Sequence, residues 1–69
     1  MQKTPRLKRL RDRATLTQEE LAQKANVGRA TIAGLETGKR PARPSTLRKL
    51  AQALGVKPVD LMDPEIGGE

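Results

Sequence analysis

Cations are the reactive groups this sequence supplies in quantity. Lys39, Arg40, Arg43, Arg48 and Lys49 fall together between positions 39 and 49 with no acid among them. Lys3, Arg6, Lys8, Arg9, Arg11 and Arg13 crowd positions 1–13 against the single acid Asp12. From position 58 onward the sign reverses, with Asp60, Asp63, Glu65 and Glu69 and no base. Across 69 residues, 14 Lys and Arg stand against 8 Asp and Glu, a net +6. Such an excess attracts polyanions, and nucleic acid is the first partner it suggests. A basic run with nothing else to mark it is a solvated face, which suffices for residues 1–13. The 39–49 cluster asks for more, because of the elements around it.

Little other chemistry is available. The chain has no Cys, no His and no aromatic residue. Disulfides and Cys/His metal sites are thereby excluded, and so is a nucleophile activated by imidazole, since the lone serine, Ser45, has no such base. Base stacking on aromatic rings, the usual grip on single strands, has no ring to use. The neighbouring acids Glu19 and Glu20 point ~100° apart on a helix and make no catalytic pair. Hence no catalytic residue, metal, cofactor or small-molecule ligand is expected. No apolar run approaches the ~18–20 residues of a membrane span, and the start lacks the apolar stretch of a signal peptide. The expectation is a soluble cytoplasmic chain forming one domain over residues 1–66, with 67–69 a flexible end. At this length roughly 60% of the surface is buried on folding, so the core must be small.

The elements that would position these groups are helices. Thr4-Pro5 offers a cap and first-turn proline, followed by Leu7, Leu10 and Ala14 at helical spacing. Thr17-Gln18-Glu19-Glu20 is a capping box with Leu16 and Leu21 as its staple, which starts a second helix at about Gln18 and carries it to Ala25. Asn26 suits a left-handed turn. Gly28 can cap a third helix from about Arg29 to Glu36, ended by Thr37-Gly38. Pro41 and Pro44 make 39–44 a loop. Leu47, Leu50, Ala51 and Leu54 form the stripe of a fourth helix, stopped by Gly55, with Val56 packing back. Pro58 to Met62 reads as a short fifth helix. The fold class is all-α, a compact five-helix bundle. The short link between the second and third helices makes them cross steeply, as in a helix-turn-helix unit spanning about 18–37. Leu21, Ala22, Ala25, Val27, Ile32 and Leu35 would face inward, with Ala22 at the crossing.

These residues carry a resemblance. Leu16-Thr17-Gln18-Glu19-Glu20-Leu21-Ala22, the run from Val27 through Ile32, Leu35 and Glu36 to Pro41, and the later Thr46 to Val56 together resemble the Cro and lambda-repressor-type helix-turn-helix family, over about Leu7 to Met62. The resemblance implies that the third helix enters the major groove of double-stranded DNA. It assigns base reading, or support for it, to Gln18, Arg29, Ala30, Thr31, Ala33 and Gly34. It assigns backbone phosphate contacts to Thr17, Gly28, Thr37, Lys39, Arg40 and Arg43. It makes Arg11 and Glu36 a structural salt bridge between the first and third helices. Asn26 and Gly28 depart from the family's common turn glycine and hydroxyl cap.

The recognition face is short of long polar side chains: Arg29 is its only long cation, able to reach guanine O6 and N7 with two hydrogen bonds. Small neighbours would let the helix settle deeply, with Ala and the Thr methyl against thymine methyls. The function so implied is sequence-specific binding by a transcriptional regulator, a repressor in the first instance, on a palindromic operator. Two copies, a homodimer, could pair through the fourth or fifth helix and the segment after it, with Leu61, Met62 and Ile66 serving either that pairing or the core. An antitoxin-like DNA-binding protein and a protein-interaction module of the same fold stand as alternatives.

Overall fold

The computed structural model describes residues 3–62. Among them the regular elements are five helices: α1 (Leu7–Arg13), α2 (Gln18–Ala25), α3 (Arg29–Glu36), α4 (Pro44–Leu54) and α5 (Pro58–Met62). The bundle is assembled around α2, which packs against both α3 and α4; α1 lies on α3 and α5 on α4. Leu7, Leu21, Ile32, Leu50 and Leu61 are fully enclosed, so every helix places one large aliphatic side chain in the shared core.

Local signals set the boundaries of α2 and α3. The Thr17 hydroxyl accepts from the Glu20 amide at 3.0 Å, and the Glu20 carboxylate accepts from the Thr17 amide at 2.8 Å. Asn26 adopts the left-handed conformation at φ 59° and ψ 47°, and Val27 N–H closes the turn on the Ala22 carbonyl at 2.9 Å. Ala22 and Ala25 are buried on the inner side of α2, which lets α3 and α4 approach it without a bulky side chain between them. Gly55 ends α4 at φ 70°, and Val56 N–H returns to the Ala51 carbonyl at 3.0 Å.

Four details differ from the sequence reading. Thr4 and Pro5 do not cap α1: its N-cap is Arg6, the Leu7 amide donates to the Thr4 carbonyl in a preceding turn, and Thr4 itself is buried. Ala14 is the exposed C-cap of α1 and not part of its inner stripe. Pro44 opens α4 instead of belonging to the loop, because proline at N1 lacks only an amide the helix leaves unpaired anyway. Ala42, between the two prolines, is core at 1% exposure and fastens the loop to the bundle. Ile66, the proposed flexible end 67–69 and the outer limits of the 1–66 domain lie outside the described residues.

Candidate nucleic-acid interface

α3 has one buried and one bare side. Ile32 and Leu35 point into the core, while Arg29 and Ala30 are exposed and Thr31, Ala33 and Gly34 are half-buried. Gly28 caps the helix at φ −76° and ψ 145°, an ordinary extended conformation, and no side chain bonds the first amides. Those amides carry the positive end of the helix dipole beside Arg29.

The far end of α3 is fixed by charge. Arg11 on α1 donates from Nε to Glu36 Oε2 at 2.6 Å and from its terminal nitrogen to Oε1 at 3.1 Å. Its remaining arm donates to the Leu16 carbonyl at 2.7 Å. Gln18 on α2 donates from Nε2 to the same Glu36 Oε1 at 2.9 Å. The Glu36 side chain is 4% exposed and that of Arg11 11%. Burial pushes the Glu36 carboxyl up, but hydrogen bonds from Arg11 and Gln18, with the charges of Arg11 and Lys8, outweigh it and hold the carboxyl below its ordinary value. Arg11 is raised above its ordinary value chiefly by the Glu36 hydrogen bond. One buried carboxylate thus ties the last turn of α1 and the start of α2 to the end of α3. Gln18 keeps one N–H and its oxygen for other partners, so any contact it makes outward is made from an amide whose orientation Glu36 sets.

The residues assigned to phosphate fall into two groups. Lys39, Arg40 and Arg43 are exposed, and Arg40 and Arg43 line a cleft with Thr31 and Thr46 in which no acid takes part. Thr17 accepts in the capping box and retains its hydroxyl proton for an outside acceptor. Thr37 is different. Its hydroxyl donates back to the Ala33 and Gly34 carbonyls at 3.0 and 3.1 Å, and a phosphate oxygen, which only accepts, finds no proton there. In the DNA-free chain the threonine hydroxyl is used to finish α3. Thr46, which the sequence reading left aside, joins the basic cleft through the first turn of α4.

Among the described residues no carboxylates gather closely enough to hold a metal ion, and no helix is long and apolar enough to cross a membrane. The cations, the outward side of α3 and the amide of Gln18 are the chemistry on offer, and all of it suits an anionic, hydrogen-bonding polymer.

Comparison with known proteins bears on this geometry. The family model described as helix-turn-helix matches residues 7–61. The chain is 43% identical over 56 residues to the uncharacterized HTH-type transcriptional regulator y4dJ of Sinorhizobium fredii, covering 81% of this chain and 73% of that protein. It is 35% identical over 51 residues to the control protein C.BamHI of Bacillus amyloliquefaciens, covering 74% of this chain and 63% of the relative. Its fold matches the crystal structure of the restriction-modification controller protein C.AhdI from Aeromonas hydrophila with a TM-score of 0.78 at 38% identity, over 81% of this chain and 85% of that one.

Proposed function

The chain belongs to the Cro/C1-type helix-turn-helix family, and from that premise we propose that it is a transcriptional regulator, not an enzyme, that binds double-stranded DNA in a sequence-specific manner with α3 in the major groove. The observation that carries this reading is the two-sided α3. Its inner side is committed to the core, and its outer side presents Arg29 over a small-residue surface, next to a cleft whose charged members are Arg40 and Arg43. Arg29, Ala30, Thr31, Ala33 and Gly34 face base edges, with Gln18 at their margin. Thr17, the amides at Gly28, Lys39 and Arg43 meet the sugar-phosphate backbone, which supplies most of the affinity. So small a module meets too little surface for tight specific binding alone, which favours two copies on a two-fold symmetric operator. Repression follows when that operator overlaps a promoter, and the compartment is the cytoplasm.

Similarity to the control protein C.BamHI and to the restriction-modification controller protein C.AhdI favours a narrower second reading, in which the genes controlled are those of a restriction-modification system.

Selection of bound duplexes from a random pool tests the main reading, and enrichment of a two-fold symmetric sequence is expected. Arg29→Ala should then weaken the enriched site by ~1–3 kcal/mol and relax one base position. Arg43→Ala should weaken enriched and scrambled duplexes alike and reduce the salt slope by about one. A pool that yields no enriched sequence would overturn sequence-specific binding.

A further inference from the structure

The structure gives the glycine of α3 a specific occupant. A Cβ built on Gly34 would stand 2.9 Å from Arg40 Cδ, 3.1 Å from Cγ and 3.4 Å from Nε, so the Arg40 stem lies in the notch that the missing side chain leaves. The loop is folded to bring it there. Gly38 turns the chain at φ +77°, and the Lys39 and Arg40 amides both donate to the Gly34 carbonyl, at 3.0 and 3.2 Å. Glycine in an exposed helix interior lowers helix stability, so its presence here asks for a reason beyond α3 itself. Gly34 follows Ala30 by four residues and Thr31 by three, which puts the notch on the outward side of the helix. Among the described residues no hydrogen bond or ion pair engages the Arg40 guanidinium.

We propose that Arg40 reads a base, its guanidinium held at the outer face of α3 by the notch at Gly34, and that Gly34 is the residue that positions it. This rests on the DNA-binding reading above and moves Arg40 from phosphate contact to groove contact. A loop arginine free in solvent meets whatever phosphate is nearest. One whose stem crosses the recognition helix is carried toward the groove floor with that helix, and part of its rotamer freedom is already given up before DNA arrives. Its planar fork matches guanine O6 and N7. Together with Arg29 it supplies the long polar reach that Ala30, Ala33 and Gly34 lack. The small face of α3 is the bed on which a side chain from the next loop is laid.

The test measures affinity for the enriched duplex and for a scrambled one with four proteins: unaltered, Arg40→Ala, Gly34→Ala and the double variant. Arg40→Ala should lower affinity for the enriched duplex by about 5–150-fold and for the scrambled duplex by much less, and repeated selection should show one base position relaxed. Gly34→Ala adds a methyl that only Arg40 must move to accommodate, and a thermal melt monitors the fold. It should lower enriched-site affinity several-fold with the same base position relaxed, and have no further effect in the Arg40→Ala background. Equal losses on both duplexes for Arg40→Ala would make Arg40 a phosphate contact and overturn the proposal. A Gly34→Ala loss that persists in the absence of Arg40 would overturn the positioning role, leaving Gly34 to act on helix approach alone. If the unaltered protein enriches no sequence, the DNA reading itself falls, and this inference with it.

Discussion

Replacing Glu36 by Gln should destabilise the protein by about 2–4 kcal/mol at neutral pH. The carboxylate accepts from two Arg11 nitrogens and from Gln18 with a side chain 4% exposed. A glutamine of the same shape offers one acceptor oxygen in place of two and turns an N–H toward donors. Hydrogen bonds to a charged group are worth about 1.5–3 kcal/mol each, and breaking one side of a buried pair costs about 3–5 kcal/mol. The Leu16 carbonyl and the Asp12 contact at 3.5 Å keep Arg11 partly paired, so the expected loss sits near the lower end of the buried range. A domain of 69 residues has about 3–10 kcal/mol in all, which makes the loss plain in a urea melt.

The pH dependence gives an independent signature. The folded Glu36 carboxyl lies below its ordinary value. Its stabilisation is therefore complete above the unfolded pKa near ~4.3 and disappears as pH falls through the lower folded value. The gap between the unaltered protein and Glu36→Gln should accordingly narrow on acidification. A variant within about 0.5 kcal/mol of the parent at pH 7, with a gap that does not change with pH, would show that the network contributes orientation without stability.

Other substitutions test the packing. Leu35→Ala should cost about 2–5 kcal/mol in a denaturant melt, since the side chain is 2% exposed on the inner side of α3. Ala22→Leu should cost about 1–3 kcal/mol by forcing α2 and α3 apart, again read by melting. Thr15→Gly should stabilise by about 0.5–1 kcal/mol and raise the thermal midpoint. Thr15 is exposed with φ 60°, a left-handed position costing a β-branched residue about 1–2 kcal/mol, of which glycine's extra unfolded entropy returns part.

What was legible in the sequence was whatever local chemistry decides. The Thr17–Glu20 box, the Asn26 turn and the Gly55 stop each depend on residues within a few positions of one another, and each could be placed before any fold was known. The misses carry no periodic or motif signal, and most are long-range. Nothing near Thr15 favours a left-handed backbone; the Leu16 amide reaching the Arg11 carbonyl, and the Arg11 guanidinium reaching the Leu16 carbonyl, impose it from across the turn. Ala42 carries no periodic signal, because a single small residue between two prolines belongs to no stripe. The Gln18–Glu36 bond joins positions that only the folded bundle brings together. Gly34 was legible as one of the small residues of the third helix, but its notch was not, since the arginine that fills it arrives from the next loop.

The arrangement separates what holds α3 from what α3 shows. Ile32 and Leu35 anchor its inner side, and Glu36, drawn on by Arg11 and Gln18, fixes its rotation about its own axis. Of these groups only Gln18 reaches the margin of the outward side. That side carries no core residue, and a surface of alanines and a glycine leaves room for backbone and bases to come close. Reading power then has to come from groups that reach over the helix rather than out of it. In the proposed reading Arg29 does so from the first turn and Arg40 from the loop, each entering from one end of the same small surface. A substitution that enlarged Ala30 or Ala33 would leave the anchors untouched and obstruct both approaches to the groove at once.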